Sequence, residues 1–275
     1  MILSTMAFAC MNGIIKYLVH FPTFELVFFR SLGSLFLTAG VLRSKDISFR
    51  PNRPFLLIFR GILGVTSMSM FFAAAHYIPI GSAVTIRYIS PLFAAVLAVW
   101  LLRERVLPLQ WLFYFLAFVG VVCIKGFDAQ VNTLGVVLAI LAAFFSALVY
   151  LVITKIGDDD HPLRVVFFFM LIAVLTGFVG SFIFEWLIPN SMEFSLLLLL
   201  GIFGYFGQLY MTKAFQQGQA SSVAPVKYVE VIFTLGVGIF IFDEVYPFLS
   251  LLGMFLIVGS LTASVLYKNR RRVET

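Results

Sequence analysis

The tightest constraint on this chain is a succession of apolar stretches, each about as long as a bilayer is thick. A spanning helix takes roughly 20 mainly apolar residues. Breaking the sequence at its polar, glycine and proline signals leaves ten such candidates, at 1–19, 24–43, 55–77, 81–102, 107–126, 132–155, 163–188, 195–217, 220–242 and 247–267. The connections are mostly a few residues long, and the longest is the basic loop "RSKDISFRPNR" from Arg43 to Arg53. No soluble domain fits between them. The composition agrees: 61% of residues are hydrophobic and 12% charged, against about a quarter charged in a soluble domain. The expected fold is all-α, a polytopic membrane protein of ten transmembrane helices.

The net charge of +6 would suggest a nucleic-acid partner in a soluble protein. Here the cations cluster in loops and in the C-terminal "KNRRR", which fits membrane orientation. Cys10 and Cys123 both lie in apolar runs and imply neither a disulfide framework nor a metal site. "AFAC" ending at Cys10 lacks a basic leader before it, so it reads as part of the first helix and not as a cleavage signal.

Sliding the sequence against itself by 140 residues aligns its two halves without a gap from residue 22 to beyond residue 116. Pro22 meets Pro162, Phe28-Phe29 meets Phe168-Phe169, and Gly40 meets Gly180. "GILG" at 61–64 meets "GIFG" at 201–204, Ser82 meets Ser222, Tyr88 meets Tyr228, and Glu104 meets Glu244. Chance matching among Leu, Phe and Ile does not align Gly, Pro, Tyr and Glu in this way, so the chain reads as a duplication. The expected units are 1–126 and 127–275, five helices each. Five is odd, so the halves should lie in opposite orientations. Loop charge points the same way: the loop after helix 2 carries Arg43, Lys45, Arg50 and Arg53, whereas its counterpart carries Glu185 and Glu193. Positive loops face the cytoplasm, placing both termini there. Inverted repeats serve alternating access around a midplane site.

"PTFELVFFR" at 22–30, "AAAHYIPIGSAVTIRYISPLFAAVLAVWLLRERV" at 73–106 and "AFQQGQASSVAPVKYVEVIFTLGVGIFIFDEV" at 214–245 together resemble the EamA-type branch of the drug/metabolite transporter superfamily, ten-helix proteins made of two such units. The resemblance covers nearly the whole chain. It implies a transporter of small metabolites in a bacterial inner membrane. Met170 stands where Arg30 would repeat, and Val231 where Pro91 would.

Charge inside an apolar span is costly, about 2.5–3.5 kcal/mol at the helix centre on the insertion scale, so such residues usually face a cavity or a partner. Arg87 and Lys227 sit at matching depths in helices 4 and 9, each followed by a tyrosine, Tyr88 and Tyr228. Glu230 is one turn beyond Lys227. The structural reading is snorkelling for Arg87 and self-neutralisation of Lys227 with Glu230 three residues on. The functional reading has Arg87 and Lys227 present cations to an anionic substrate group, with Glu230 binding an amine or carrying a proton. Lys16 and Asn12 share a face of helix 1, Gln208 and Tyr205 offer amide and aromatic contacts, and Arg30 is expected to pair with Glu25. Glu104 and Glu244 should shape turns, and the glycines at 61, 64, 201, 204 and 207 should allow close helix approach. Asp158, Asp159, Asp160 and His161 read as a solvated turn.

These residues support a secondary-active carrier of small organic solutes, with an excess of buried cations favouring anionic or zwitterionic cargo. No Walker sequence appears, and nothing in the sequence asks for a cofactor, a catalytic group or a metal. The partners expected are a small-molecule solute and the lipid bilayer, not nucleic acid, with the chain a monomer or homodimer. The alternatives are a membrane-embedded enzyme acting on a lipid-like substrate, or a channel.

Overall fold

The computed structural model describes residues 1–87, 89–90, 92–94, 96–97, 108–126, 132–182, 186–217, 229–243 and 245–273. Their regular structure is helical throughout. The helices are α1 (Ile2–Tyr17), α2 (Thr23–Ser44), α3 (Pro54–Tyr77), α4 (Ile80–Arg87), α5 (Pro108–Gly126), α6 (Thr133–Ile156), α7 (Pro162–Ser181), α8 (Ser191–Gln217), α9 (Val229–Phe242) and α10 (Phe248–Val273), with one 3₁₀ turn at Gly157–Asp159. Five of them, α2, α3, α6, α7 and α8, are long and apolar enough to cross a bilayer. Large apolar side chains such as Phe36, Phe55, Phe182, Phe240 and Phe255 stand on the outer surface. Hydrocarbon, not water, is the solvent such a surface suits.

Local chemistry sets the helix ends. Pro54 and Pro162 occupy first-turn positions, where a missing N–H costs nothing. Asn132 caps α6 by accepting from the Leu134 N–H at 2.8 Å. The sequence reading ran helix 7 to residue 188 and began helix 8 at 195. Instead α7 ends at Ser181, and α8 starts at Ser191. A reciprocal cap explains the earlier start: Glu193 N–H donates to Asn190 Oδ1 at 2.9 Å, and Asn190 N–H donates to Glu193 Oε2 at 2.8 Å. Pro189, one residue before that cap, disfavours helix in the residue preceding it.

The packing pairs repeat. α1 lies against α8 and α9, and α6 lies against α3 and α4. α2 lies against α8, as α7 does against α3, while α2–α7, α4–α9 and α5–α10 pack on each other. Shifting these labels by five turns α1–α8 into α6–α3, α1–α9 into α6–α4 and α2–α8 into α7–α3, and leaves α2–α7, α4–α9 and α5–α10 unchanged. Glycine makes the closest of these approaches possible. A Cβ on Gly201 would lie 2.9 Å from Gly33 Cα, so α2 and α8 touch backbone to backbone. In the other half, Gly61 gives its space to Ile172 of α7.

On one side of the bundle the turn after α6 ties together the loop after α2, the start of α7 and the end of α8. Gly157 takes φ +51°, a left-handed conformation that glycine adopts without strain. Asp160, expected in a solvated turn, is buried. Its carboxylate accepts from the Asn52 and Arg53 backbone N–H groups, both at 2.9 Å, and from Arg164 Nη1 at 2.7 Å. Burial acts to raise its pKa, but these donors outweigh it and hold the carboxyl below its ordinary range. Gln216 at the end of α8 donates to the carbonyls of Gly157 and Asp160. Backbone donors presented by the basic loop therefore turn a surface-looking acid into a buried pivot.

Candidate functional site

The arginines of α2, α3 and α4 converge on one cavity at the centre of the bundle. Its wall is built from both halves of the chain: Phe8 and Met11 of α1, Arg30 of α2, Arg60 to Phe72 of α3, Arg87 of α4, Ser146 to Tyr150 of α6, Phe169 of α7, and Gln208 and Met211 of α8. It encloses about 70 Å³ of free volume, several water molecules' worth. A metabolite pocket is about 300–1,000 Å³.

Arg87 forms an ion pair across the two halves, its Nη2 lying 3.0 Å from Glu230 Oε1 on α9. The same oxygen accepts from Asn12 Nδ2 at 3.0 Å. The Arg87 guanidinium also lies over the Phe71 ring, 4.0 Å from its centroid. Glu230 is fully buried and stands behind Arg87, outside the cavity lining. Glu230 Oε2 and Asn12 Oδ1 find no hydrogen-bond partner among the described residues.

Arg30 and Arg60 are each 1% exposed, and neither meets a carboxylate among the described residues. Arg30 donates from Nε and Nη1 to the sulfurs of Met11 and Met68 and lies 5.8 Å from the Phe169 centroid. Arg60 stacks on Phe169 at 4.1 Å and donates from Nη2 to Gln208 Oε1 at 2.9 Å. Its Nε and Nη1 have no acceptor among the described residues. Magnitudes show what this arrangement lacks. A cation–π contact is worth about 0.5–2 kcal/mol, whereas a buried ion loses several kcal/mol of hydration. One ring shared by two guanidiniums does not close that gap; an anion would. The glycines at matching repeat positions berth them: a Cβ on Gly64 would meet Arg60 Nη1 at 2.9 Å, and one on Gly204 would meet Arg30 Nε at 3.1 Å.

Several sequence expectations land differently. Arg30 does not pair with Glu25, because five residues along a helix turn a side chain about 140° away from its starting face. Glu25 Oε2 instead accepts from the Leu187 N–H at 3.2 Å. Tyr205 packs with Leu42, Leu163 and Leu209, away from the cavity. Lys16 sits partly exposed in the last turn of α1 and does not line the cavity. Gln208 does line it. Tyr88, Lys227, Tyr228, Glu104 and Glu244 lie outside the described residues. Arg60 was missed by sequence reasoning, although a usable signal was present: a charge inside an apolar run, directly before the "GILG" that repeats as "GIFG".

Comparison with known proteins follows the same lines. The model of the EamA-like transporter family matches residues 1–126 and 133–266. The pseudopaline exporter CntI of Pseudomonas aeruginosa is 27% identical over 94% of this chain and 91% of its own length. The S-adenosylmethionine uptake transporter of Rickettsia prowazekii is 26% identical over 94% and 88%, and human solute carrier family 35 member G1 is 25% identical over 97% and 78%. A crystal structure superposes with a TM-score of 0.72 at 17% identity, covering 97% of this chain and 98% of that one; it speaks to the fold alone. With a bundle of membrane-length helices around a central charged cavity and a family match along nearly its whole length, this integral membrane protein belongs to the EamA-like transporter family, within the drug/metabolite transporter superfamily.

Proposed function

We propose that the protein is a secondary-active carrier of small anionic or zwitterionic metabolites, working by alternating access in a bacterial inner membrane with both termini cytoplasmic. The observation that carries this reading is the central cavity, walled by both halves and lined by three arginines. The paired packing of α1–α8 with α6–α3, and of α2–α8 with α7–α3, supports two inverted five-helix units at 1–126 and 127–275. In such folds the site lies between the repeats, and rocking one against the other exposes it to each side in turn. Glycine contacts such as Gly33–Gly201 suit that motion, since bare backbone surfaces slide with few side chains to repack.

The residues proposed to meet the solute are Arg87 and Gln208 from the sequence reading, joined by Arg30 and Arg60 from the geometry. Lys227, Tyr88 and Tyr228 remain candidates by position in the repeat. Asn12 and Glu230 act from behind Arg87, and Glu230 is the candidate for coupling. A proton taken up by its carboxylate would release Arg87 from the pair. Transport by Glu230→Gln should lose its response to an imposed pH gradient; a full response in that variant removes the coupling role. Counterflow in proteoliposomes tests the carrier itself. Labelled solute should accumulate transiently against unlabelled solute and saturate, whereas a channel conducts without exchange and an enzyme yields a product.

A further inference from the structure

We infer that the cargo carries at least two separated anionic groups, held by Arg30 and Arg60 beside the Phe169 ring, while Arg87 stays with Glu230. This rests on the carrier reading above and narrows its substrate class to short di- and polycarboxylates. Among the described residues three guanidiniums line the cavity and no acidic side chain does. Glu230 neutralises one of them, leaving an excess of two positive charges. One carboxylate leaves half of that excess uncompensated; two remove it. The donors are already in place: among the described residues Arg60 Nε and Nη1 are buried without acceptors, and Arg30 donates to the weakly accepting sulfurs of Met11 and Met68. Both guanidiniums are measured from the same ring centroid, at 4.1 and 5.8 Å, so a single short molecule spans them.

The same charge excess repels a cation. A sulfonium amino acid carries one carboxylate against an ammonium and a sulfonium, and would raise the positive charge of the cavity on entry. In cargo, this chain therefore parts from its relatives named for S-adenosylmethionine uptake. Neutralising the excess also gives the loaded carrier a reason to close that the unloaded one lacks, because a compact cavity with two bare guanidiniums is electrostatically strained.

The test uses the full chain in detergent and in proteoliposomes, with glutarate, butyrate and S-methylmethionine as probes. Glutarate should bind at least tenfold more tightly than butyrate, and S-methylmethionine should not compete. Arg30→Gln and Arg60→Gln should each bring glutarate down to the level of butyrate, whereas Arg60→Lys should keep part of the difference. Equal affinity for glutarate and butyrate in the unmodified protein overturns the inference, whatever the variants do. Counterflow of S-methylmethionine that survives both glutamine substitutions overturns it too, while leaving the carrier standing. Selective glutarate binding with no exchange across the membrane would keep the two-anion site and refute the carrier.

Discussion

Removing the carboxylate of Glu230 should weaken this protein more than removing both members of its ion pair. The pair is buried at Glu230 and side-chain exposure of Arg87 is 15%, so screening by water is slight. Two unit charges about 4 Å apart interact by ~4 kcal/mol at an effective dielectric of 20. Glu230→Gln leaves Arg87 with its stacking on Phe71 and an amide for a partner, adding a third bare cation to the cavity. Arg87→Gln leaves a fully buried carboxylate with Asn12 as its donor. Breaking one side of a buried pair costs about 3–5 kcal/mol. In the double variant two neutral amides face each other, and about 1–2 kcal/mol should be lost. With ~2–4 °C per kcal/mol for a chain of this size, each single variant should melt roughly 6–20 °C lower and the double variant only about 2–8 °C lower than the parent. The assay is the unfolding midpoint in detergent followed by tryptophan fluorescence, read as a double-mutant cycle. If the double variant falls by the sum of the two single losses, Arg87 and Glu230 do not depend on each other and the geometry has been misjudged.

Gly201→Ala should lower the midpoint relative to Gly40→Ala, because a Cβ at 201 strikes the Gly33 backbone at 2.9 Å while one at 40 meets nothing within 4 Å; overpacking of this kind costs about 1–3 kcal/mol, and equal midpoints would refute the close approach. Gly204→Ala should displace Arg30 and cut anion binding with little loss of fold, measured by titration calorimetry. Asp160 has a depressed folded pKa, so its contribution is present above the unfolded carboxylate range and is lost as pH falls through the lower folded value; hydrogen exchange across 43–53 should stay slow from pH 8 to 5 and rise in Asp160→Asn at every pH. His161 caps α7 by accepting from the Leu163 N–H through Nδ1, and burial, with Lys213, Arg164 and Lys45 nearby, lowers its pKa. The unfolded chain therefore binds the proton more readily, and the protection of amides in the first turn of α7, corrected for the intrinsic exchange rate, should fall as pH drops below about 6.5 and lose that dependence in His161→Gln.

Much of the helix layout was legible because a bilayer reads little beyond length and polarity. Helices α2, α3 and α6 fall within two residues of the ends expected from the apolar runs. The end of α7 and the start of α8 were misplaced because a reciprocal Asn190–Glu193 cap outweighs the apolar character of the flanking residues. The site was legible only in outline. Depth and charge single out Arg87 and Glu230, a shared helix face Asn12, and an amide Gln208, but none of these signals names a partner. Glu230 reaches across to Arg87 of the other half, and no spacing along one helix encodes that meeting.

The sequence by itself determined that the chain lives in a membrane, that residues such as Pro22 and Pro162 or Tyr88 and Tyr228 recur at a spacing of 140, and that cations outnumber acids within its apolar spans. Each of these follows from composition or from residues compared in register. The tertiary structure alone decided which charges share a space. It turned Arg60 inward beside Arg30, with Phe169 of the other half lying against both guanidiniums, and it withheld Glu25 from them. The reason is physical: the free energy of a buried charge depends on what faces it across the helix interface, and that neighbour comes from a distant part of the chain.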